Sequence, residues 1–262
     1  MIRVFGWTAG AFWLALFFGL TDLSVPLLFG GRPDFYDSYL IETGWGVLFT
    51  FFVGLPMCLL GARPSWVSAA LMSAASGIAV FIAAVASAQP VQLIIVAALL
   101  LQAAGVWALA RSGRDPHPEP GRSEPRESPV FGSRIPLLGL ALVSVPPAIF
   151  FASGMIEAAR KGVPEPSFTY VFDHFPIQAA CALVIPLATG LMAFQLPGWR
   201  PMTFLIASGT AWFGLVSIVF PDHLGSWGMV WGWTAVAWAV ALSSLAVRGD
   251  QRMPRPRPAP PL

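Results

Sequence analysis

Charged side chains are scarce in this chain. Asp, Glu, Lys and Arg make up 11% of its 262 residues, whereas a soluble domain averages about 25%. Hydrophobic residues make up 56% of the chain. This composition excludes an ordinary soluble domain, because most of the chain has to face lipid or other apolar helices. The sequence therefore predicts a polytopic membrane protein.

Lysine and cysteine are almost absent. Lys161 is the one lysine, so 14 of the 15 basic residues are arginine. We interpret this as a genomic bias and expect no nucleic-acid partner. Cys58 and Cys181 lie inside apolar runs at different expected depths, so we predict free thiols in helix packing and no disulfide. The cysteines have no spacing typical of a metal site, and we expect no metal and no cofactor.

Eight apolar runs approach the length of about 20 residues that a membrane-spanning helix needs. They extend roughly over Thr8–Phe29, Trp45–Leu60, Trp66–Ser87, Val91–Ala110, Ile135–Gly154, Val171–Phe194, Met202–Phe220 and Ser226–Val247. The first run is too long for a signal peptide and has no small-x-small cleavage site, so we expect it to be retained. The predicted fold is an all-α membrane protein with eight transmembrane helices.

The placement of arginine orients the predicted helices. With a cytoplasmic N-terminus, 12 of the 15 basic residues fall on the inner side, and only Arg32, Arg160 and Lys161 fall outside. Such a bias follows the positive-inside rule. We therefore predict a multi-pass protein of the cell (inner) membrane whose N- and C-termini are both cytoplasmic.

A polar segment divides the chain into two units. Residues 111–134 are rich in Pro, Glu, Ser and Arg and cannot form a core, so we predict a disordered cytoplasmic linker. The first four-helix unit covers 1–110 and the second covers 135–248. The remaining residues, 249–262, form a Pro/Arg-rich cytoplasmic tail.

The two predicted units resemble each other. Matching features are Phe17-Phe18 with Phe150-Phe151, Tyr39 with Tyr170, Glu42 with Asp173, Pro56 with Pro186, and Trp66 with Trp199. The offset is 133 at the phenylalanine pairs (150−17), 131 at the acids (173−42) and 133 at the tryptophans (199−66). Units of four helices would be parallel repeats related by an axis along the membrane normal. Coincidence among Phe- and Pro-rich apolar segments is the alternative.

Acids at membrane depth or at helix starts are candidate catalytic residues. Asp22 lies about 20 Å into the first run at 1.5 Å per residue, and acids at such depths usually face a bundle interior or a cavity. Glu42 and Asp173 each begin an apolar run near the outer side, where interaction with the helix dipole is the structural alternative. Asp173 could orient or acidify the adjacent imidazole of His174. Gln178, four residues after His174, shares its helix face and is a candidate substrate-binding residue.

Aromatic residues are candidates for the wall of a substrate cavity. Phe18 shares a face with Asp22, Trp45 follows Glu42, and Trp231 and Trp238 lie on one face of the last helix. Aromatic faces attract cations, including a carbocation that has no better partner in hydrocarbon. Packing between helices is the alternative role for these side chains.

Each unit thus has an acid near the outer end of its first helix and a second acid at the start of its second helix, followed by aromatics and a proline. This arrangement resembles the four-helix module of emopamil-binding protein and the sigma-2 receptor, carried twice. The chain is also similar in size to small microbial membrane-bound terpene cyclases. The resemblance implies a cavity for a sterol-like or isoprenoid ligand and an isomerase that works by protonation. Emopamil-binding protein also relies on histidine in its first two helices, which the first unit lacks.

The sequence therefore predicts an integral membrane enzyme that protonates an isoprenoid or sterol-like lipid with a carboxylic acid, as a terpene cyclase or isomerase does. Its expected partners are the membrane and a hydrophobic small molecule or lipid, and its oligomeric state is left open. A transporter or export component that binds a cation or proton with the same acids is one alternative. A non-catalytic lipid-binding membrane protein is the other.

Overall fold

The structure is a computed structural model that describes residues 1–29, 40–112, 131–164 and 173–248. The described residues are helical or lie in short connections, with no strand among them, which confirms the all-α prediction. In chain order the helices are α1 (Ile2–Leu16), α2 (Gly19–Phe29), α3 (Thr43–Ala62), α4 (Ser68–Ser87), α5 (Leu93–Arg111), α6 (Phe131–Arg160), α7 (His174–Met192), α8 (Trp199–Val219) and α9 (Gly228–Arg248).

Among these described helices, seven, α3 to α9, are long and apolar enough to cross a membrane. Large apolar side chains cover the outer faces of the peripheral helices. Leu101, Phe150 and Val230, for example, are 71%, 74% and 76% exposed. Surfaces of this kind suit hydrocarbon rather than water. The helices therefore indicate a multi-pass membrane protein.

The first predicted span is interrupted. The sequence predicts one helix over Thr8–Phe29, but α1 ends at Leu16 and α2 begins at Gly19. The last turn of α1 is π-helical, and Phe18 in the break has a φ of 61°, which a bulky side chain rarely adopts. The described residues thus contain seven continuous helices of spanning length where eight are predicted.

Both pieces of the interrupted segment pack along α3. Near the N-terminus, Gly6 of α1 lies against Gly61 of α3. Beyond the break, Leu23 of α2 lies against Gly46 of α3. A Cβ atom on Gly46 would lie only 2.7 Å from the Leu23 Cα atom, so the two backbones touch because glycine has no side chain. Together α1 and α2 follow α3 over most of its length.

Replacing Gly46 by Ala is expected to lower the stability of the protein. The added methyl group meets α2 backbone, which cannot rotate away, and such overpacking costs about 1–3 kcal/mol. The change can be measured as a lower midpoint of thermal unfolding in detergent. Gly154→Ala in α6 is the matched control, because a Cβ atom there has nothing within 4 Å. Equal midpoints for both variants would contradict the close contact of α2 with α3.

The core lies between α3, α4, α7 and α8, which carry most of the fully buried side chains, such as Phe52, Met72, Ile177 and Ile206. Helix α4 packs on α7, and α3 packs on α8. Around this centre, each outer helix packs on a sequence neighbour: α1 and α2 on α3, α5 on α4, α6 on α7, and α9 on α8. The two cysteines are free, as predicted.

The predicted linker is shorter than expected at its C-terminal end. Helix α6 begins at Phe131, so residues 131–134 are helical rather than part of the linker. Residues 113–130 and the predicted tail, 249–262, lie outside the described residues. Tyr39 and Tyr170, which the repeat hypothesis pairs, also lie outside them.

Candidate functional site

Asp22 and Glu42 meet where α2 packs on α3. Asp22 lies in the first turn of α2, and Glu42 directly precedes α3. The backbone at Asp22 touches α3 at Gly46, one turn after Glu42. Glu42 is only 6% exposed, and its charge acts on the half-buried carboxyl group of Asp22.

An aromatic cluster formed by Trp13, Phe17, Trp45 and Phe49 lies next to this acid pair. Trp45 stacks on Phe17 with ring centroids 5.0 Å apart, and Trp13 stacks on Phe49 at 5.1 Å. The Trp45 Nε1–H donates to the Phe17 carbonyl oxygen at 2.9 Å. This bond satisfies a backbone acceptor that the break between α1 and α2 leaves without a helical partner. The cluster therefore holds the break between α1 and α2 against α3.

His174 and Gln178 of α7 pack against the first turns of α3, at Trp45 and Gly44. The His174 ring is 2% exposed and lies 5.3 Å from the Trp45 ring, measured between centroids. Gln178 is fully buried and fits against α3 at Gly44, where a Cβ atom would lie 2.7 Å from the Gln178 Cδ atom. Both side chains thus face α3, His174 at Trp45 and Gln178 at Gly44.

Asp173 is the N-cap of α7. Its Oδ1 atom accepts a hydrogen bond from the Phe175 backbone N–H at 2.9 Å, and its Oδ2 atom accepts one from Gln89 Nε2 at 3.1 Å. Its carbonyl oxygen accepts from Gln92 Nε2 at 2.7 Å. The Oδ1 atom therefore caps α7, while the Oδ2 atom and the carbonyl oxygen fasten the start of α7 to the connection between α4 and α5. These contacts fit the structural alternative for Asp173, and its predicted catalytic role stays a prediction.

Of the remaining predicted site residues, Phe18 lies at the helix break, where its carbonyl oxygen accepts the Asp22 backbone N–H at 2.9 Å, and Trp231 and Trp238 lie away from the acid pair. Phe18 is 56% exposed at the helix break, although its neighbour Phe17 belongs to the aromatic cluster. Trp231 and Trp238 belong to α9, where they line a cavity in the second half of the chain. The sequence places them on one helix face correctly, but it cannot say which helices that face meets.

This tryptophan cavity, bounded by α6, α7, α8 and α9, has a volume of about 340 Å³. Small-molecule sites range from about 300 to 1,000 Å³, so its size suits a ligand. None of the described residues that line it is charged. They include Val143, Ser144, Pro147, Ala148, Phe150, Phe151, Ala182, Ile185, Thr210, Ser226, Trp227, Trp231, Thr234, Ala235 and Trp238. The Trp238 Nε1–H donates to the Leu140 carbonyl oxygen at 3.1 Å, which fixes its ring in the wall.

A buried polar network links three helices behind the aromatic cluster. The Trp13 Nε1–H donates to Gln102 Oε1 at 2.7 Å, and Gln102 Nε2 donates to Ser73 Oγ at 2.8 Å. Sequence reasoning did not include Trp13, Phe17 and Phe49 among the site residues. The spacing of Trp13 and Phe17, four residues apart on one helix face, is the signal that could have indicated them.

The chemistry available at this site is that of carboxylic acids, imidazole and aromatic rings. The described residues contain no group of three or more His, Cys, Asp or Glu that could hold a metal ion. Comparisons of the chain with family models, with curated proteins and with solved structures find no match. The resemblance to the emopamil-binding-protein module therefore stays a prediction.

Proposed function

We propose that this protein is an integral membrane enzyme that protonates an isoprenoid or sterol-like lipid, with Asp22 and Glu42 as its acid pair. The observation that carries the proposal is the packing of α2 at Asp22 on α3 one turn after Glu42, next to Trp45, whose ring contacts Phe17 and His174. A positioned carboxylic acid can give its proton to an olefin or epoxide. Aromatic faces stabilise the cation that forms.

The proposed step conserves the proton. The O–H bond of the neutral acid breaks as a C–H bond forms on the substrate, which leaves a carboxylate and a carbocation. Loss of a proton from a neighbouring carbon to the carboxylate then restores the acid and gives an isomer or a cyclised product. The step requires one proton on the pair at its start, and two neighbouring carboxylates in apolar surroundings disfavour double ionisation.

The proposal includes eight membrane crossings, with α1 and α2 forming one discontinuous crossing. Their packing along most of the length of α3 supports this arrangement. It also includes two parallel four-helix units. In each unit the first segment packs on the second and the third packs on the fourth, while the second and third helices form the core. An even number of crossings puts both termini on one side, which the arginine bias assigns to the cytoplasm.

A change of offset inside α3 also supports the duplication. Pro56 and Pro186 are 130 residues apart (186−56), whereas Glu42 and Asp173 are 131 apart (173−42). The π-helical stretch Leu48–Gly54 lies between Glu42 and Pro56. A π turn contains one residue more than an α turn, so a single insertion in α3 accounts for the difference.

A transporter is the second candidate, and the helix break favours it. Discontinuous helices commonly form ion and substrate sites in transporters. The break at Phe17 and Phe18 lies beside the acid pair, which would then bind a cation or relay protons. Flux across proteoliposomes without chemical change in the transported molecule would support this candidate over the enzyme.

Analysis of bound lipid tests the proposed enzyme. The protein is extracted with its surrounding membrane into nanodiscs, and the lipids are identified by mass spectrometry. We expect a neutral isoprenoid or sterol-like lipid that is enriched over bulk membrane. On incubation it should convert to a product of equal mass and different retention time. Enrichment without conversion would support a non-catalytic lipid-binding protein, and no enrichment would contradict the proposal.

A further inference from the structure

We infer that the ligand is a hydrocarbon chain that ends in a hydroxyl group, with the chain in the tryptophan cavity and the hydroxyl group against Thr43. The isoprenoid nature of the chain rests on the proposed function. The position and the polarity of the binding site are argued from two adjoining cavities. This part of the inference concerns ligand binding and does not depend on the proposed reaction.

The tryptophan cavity is accessible from the bilayer. Val143 and Phe150 on α6 line it and are 69% and 74% exposed, and Trp231 on α9 is 46% exposed. The cavity therefore has a lipid-facing side between α6 and α9. A chain that is dissolved in the membrane can enter there without crossing a polar surface.

The wall of the cavity selects hydrocarbon. The hydroxyl groups of Ser144, Thr210 and Thr234 each donate to a carbonyl oxygen of their own helix, at 2.8, 2.8 and 2.9 Å. The hydrogens of these hydroxyl groups are therefore already used in bonds to the backbone. No charged residue is among the described residues of the lining. A polar or charged group in this cavity would lose its hydration without gaining partners, which costs several kcal/mol.

A second, much smaller cavity adjoins the first at Ser226, which lines both. Its volume of about 10 Å³ is close to the minimum that holds one water molecule, so a hydroxyl group fits where a phosphate group does not. Thr43, Ser217, His223 and Gly225 are among the other residues that line it. This cavity lies at the start of α3, where Thr43 directly follows Glu42 in the sequence.

Thr43 is the residue that indicates a polar ligand group. Its side chain is 1% exposed, and its Oγ1 atom has no hydrogen-bond partner among the described residues. A buried hydroxyl group without a partner costs about 1–3 kcal/mol. The hydroxyl groups of Ser217 and Ser226 differ, because each accepts a backbone N–H in the loop before α9. A ligand hydroxyl group in the small cavity would satisfy Thr43, the residue that follows Glu42 in sequence.

Binding of tritiated farnesol to the protein in nanodiscs tests the inference. Thr43→Val should weaken farnesol about fivefold, the effect of one lost hydrogen bond. It should leave competition by the saturated hydrocarbon of the same skeleton unchanged. Thr203→Val is the matched control, because the Thr203 hydroxyl group donates to the Trp199 carbonyl oxygen and lines neither cavity.

Filling the tryptophan cavity should weaken alcohol and hydrocarbon alike. Ala235 is 8% exposed in its wall, and Ala235→Phe should reduce both affinities at least about tenfold. Ala104→Phe on the exposed face of α5 is the control for an added ring. Ala235→Leu gives the same comparison, with a smaller effect, if the phenylalanine variant does not fold.

Unchanged farnesol binding in Thr43→Val, or in a folded Ala235 variant, would overturn the inference. Dodecanol tests whether the hydrocarbon chain is isoprenoid or linear. Tighter binding of farnesol than of dodecanol assigns an isoprenoid chain, and equal or tighter binding of dodecanol removes that assignment. Glu157→Gln, at a side chain that is 63% exposed and lines neither cavity, should bind farnesol like the wild type. Loss of turnover in the acid-pair variants concerns the proposed chemistry, and loss of farnesol binding in the cavity variants concerns the site.

Discussion

Asp22→Asn and Glu42→Gln are each expected to reduce turnover at least about a hundredfold, the lower end of the range for general acid catalysis. The amide keeps the shape and much of the hydrogen bonding of the acid, but it has no proton to transfer. Both variants should stay inserted, stable and able to bind lipid. The measurements are the rate of lipid conversion in nanodiscs, the midpoint of thermal unfolding and the affinity for farnesol.

The control for this prediction is Glu157→Gln. Glu157 pairs with Lys161 four residues later, and its side chain is 63% exposed, so its loss should not affect turnover. Asp173→Asn should keep the N-cap of α7, because Asn caps as well as Asp, and loss of turnover in that stable variant would transfer the donor role to Asp173. If the acids are purely structural, the variants should be less stable than the wild type, and the fraction that folds should remain active. Full activity of both acid-pair variants would show that the proton-donor hypothesis is wrong.

Single cysteines are expected to divide into two groups when a membrane-impermeant thiol reagent is added from outside. A cysteine at Ser38 or Gly162 should react, and one at Gly121 should be protected, because the arginine bias places 121 in the cytoplasm. Gly162 has a φ of 61°, which disfavours a side chain, so Lys161→Cys is the better substitution. Reaction at 121 with protection at 38 would reverse the orientation.

The N-terminus tests the discontinuous crossing by itself. Arg3 is exposed at the start of α1, and Arg3→Cys should be protected if α1 and α2 together cross the membrane. Reaction of this cysteine together with the one at Ser38 would mean that α1 and α2 return to the side from which they start. The number of crossings would then be seven. The control is detergent permeabilisation, after which every exposed cysteine should react.

Sequence alone predicts the seven continuous helices because their signal is local. Long apolar runs end at clusters of Pro, Gly and Arg, and each run can be read without knowledge of its neighbours. The break before Gly19 has no such signal, because a single glycine inside an apolar run is tolerated in helices. A tertiary contact holds the break. Trp45, almost 30 residues away, donates a hydrogen bond to the Phe17 carbonyl oxygen and stacks on the Phe17 ring.

The same limit applies to the candidate site. Asp22, Glu42 and His174 all lie near predicted outer helix ends, but the sequence pattern assigns His174 to Asp173 and does not place Trp45 between α3 and α7. Trp231 and Trp238 have the right helix face, but periodicity does not say which helices surround it. Among the described residues, Thr43 Oγ1 has no hydrogen-bond partner, and its burial depends on the loop before α9, which no pattern in the sequence encodes.

The hydrogen bond from Trp13 to Gln102 has a consequence for the order in which the protein is made. Its donor leaves the ribosome early, whereas its acceptor follows only with α5, and Gln102 also holds Ser73 of α4. Until α5 is synthesised, the Trp13 indole lacks this acceptor. Once it is made, the network fastens α1, α4 and α5 while the second unit is still being translated. The end of α5 at Arg111 thus falls at the point of biosynthesis where α1, α4 and α5 have just become able to close on one another.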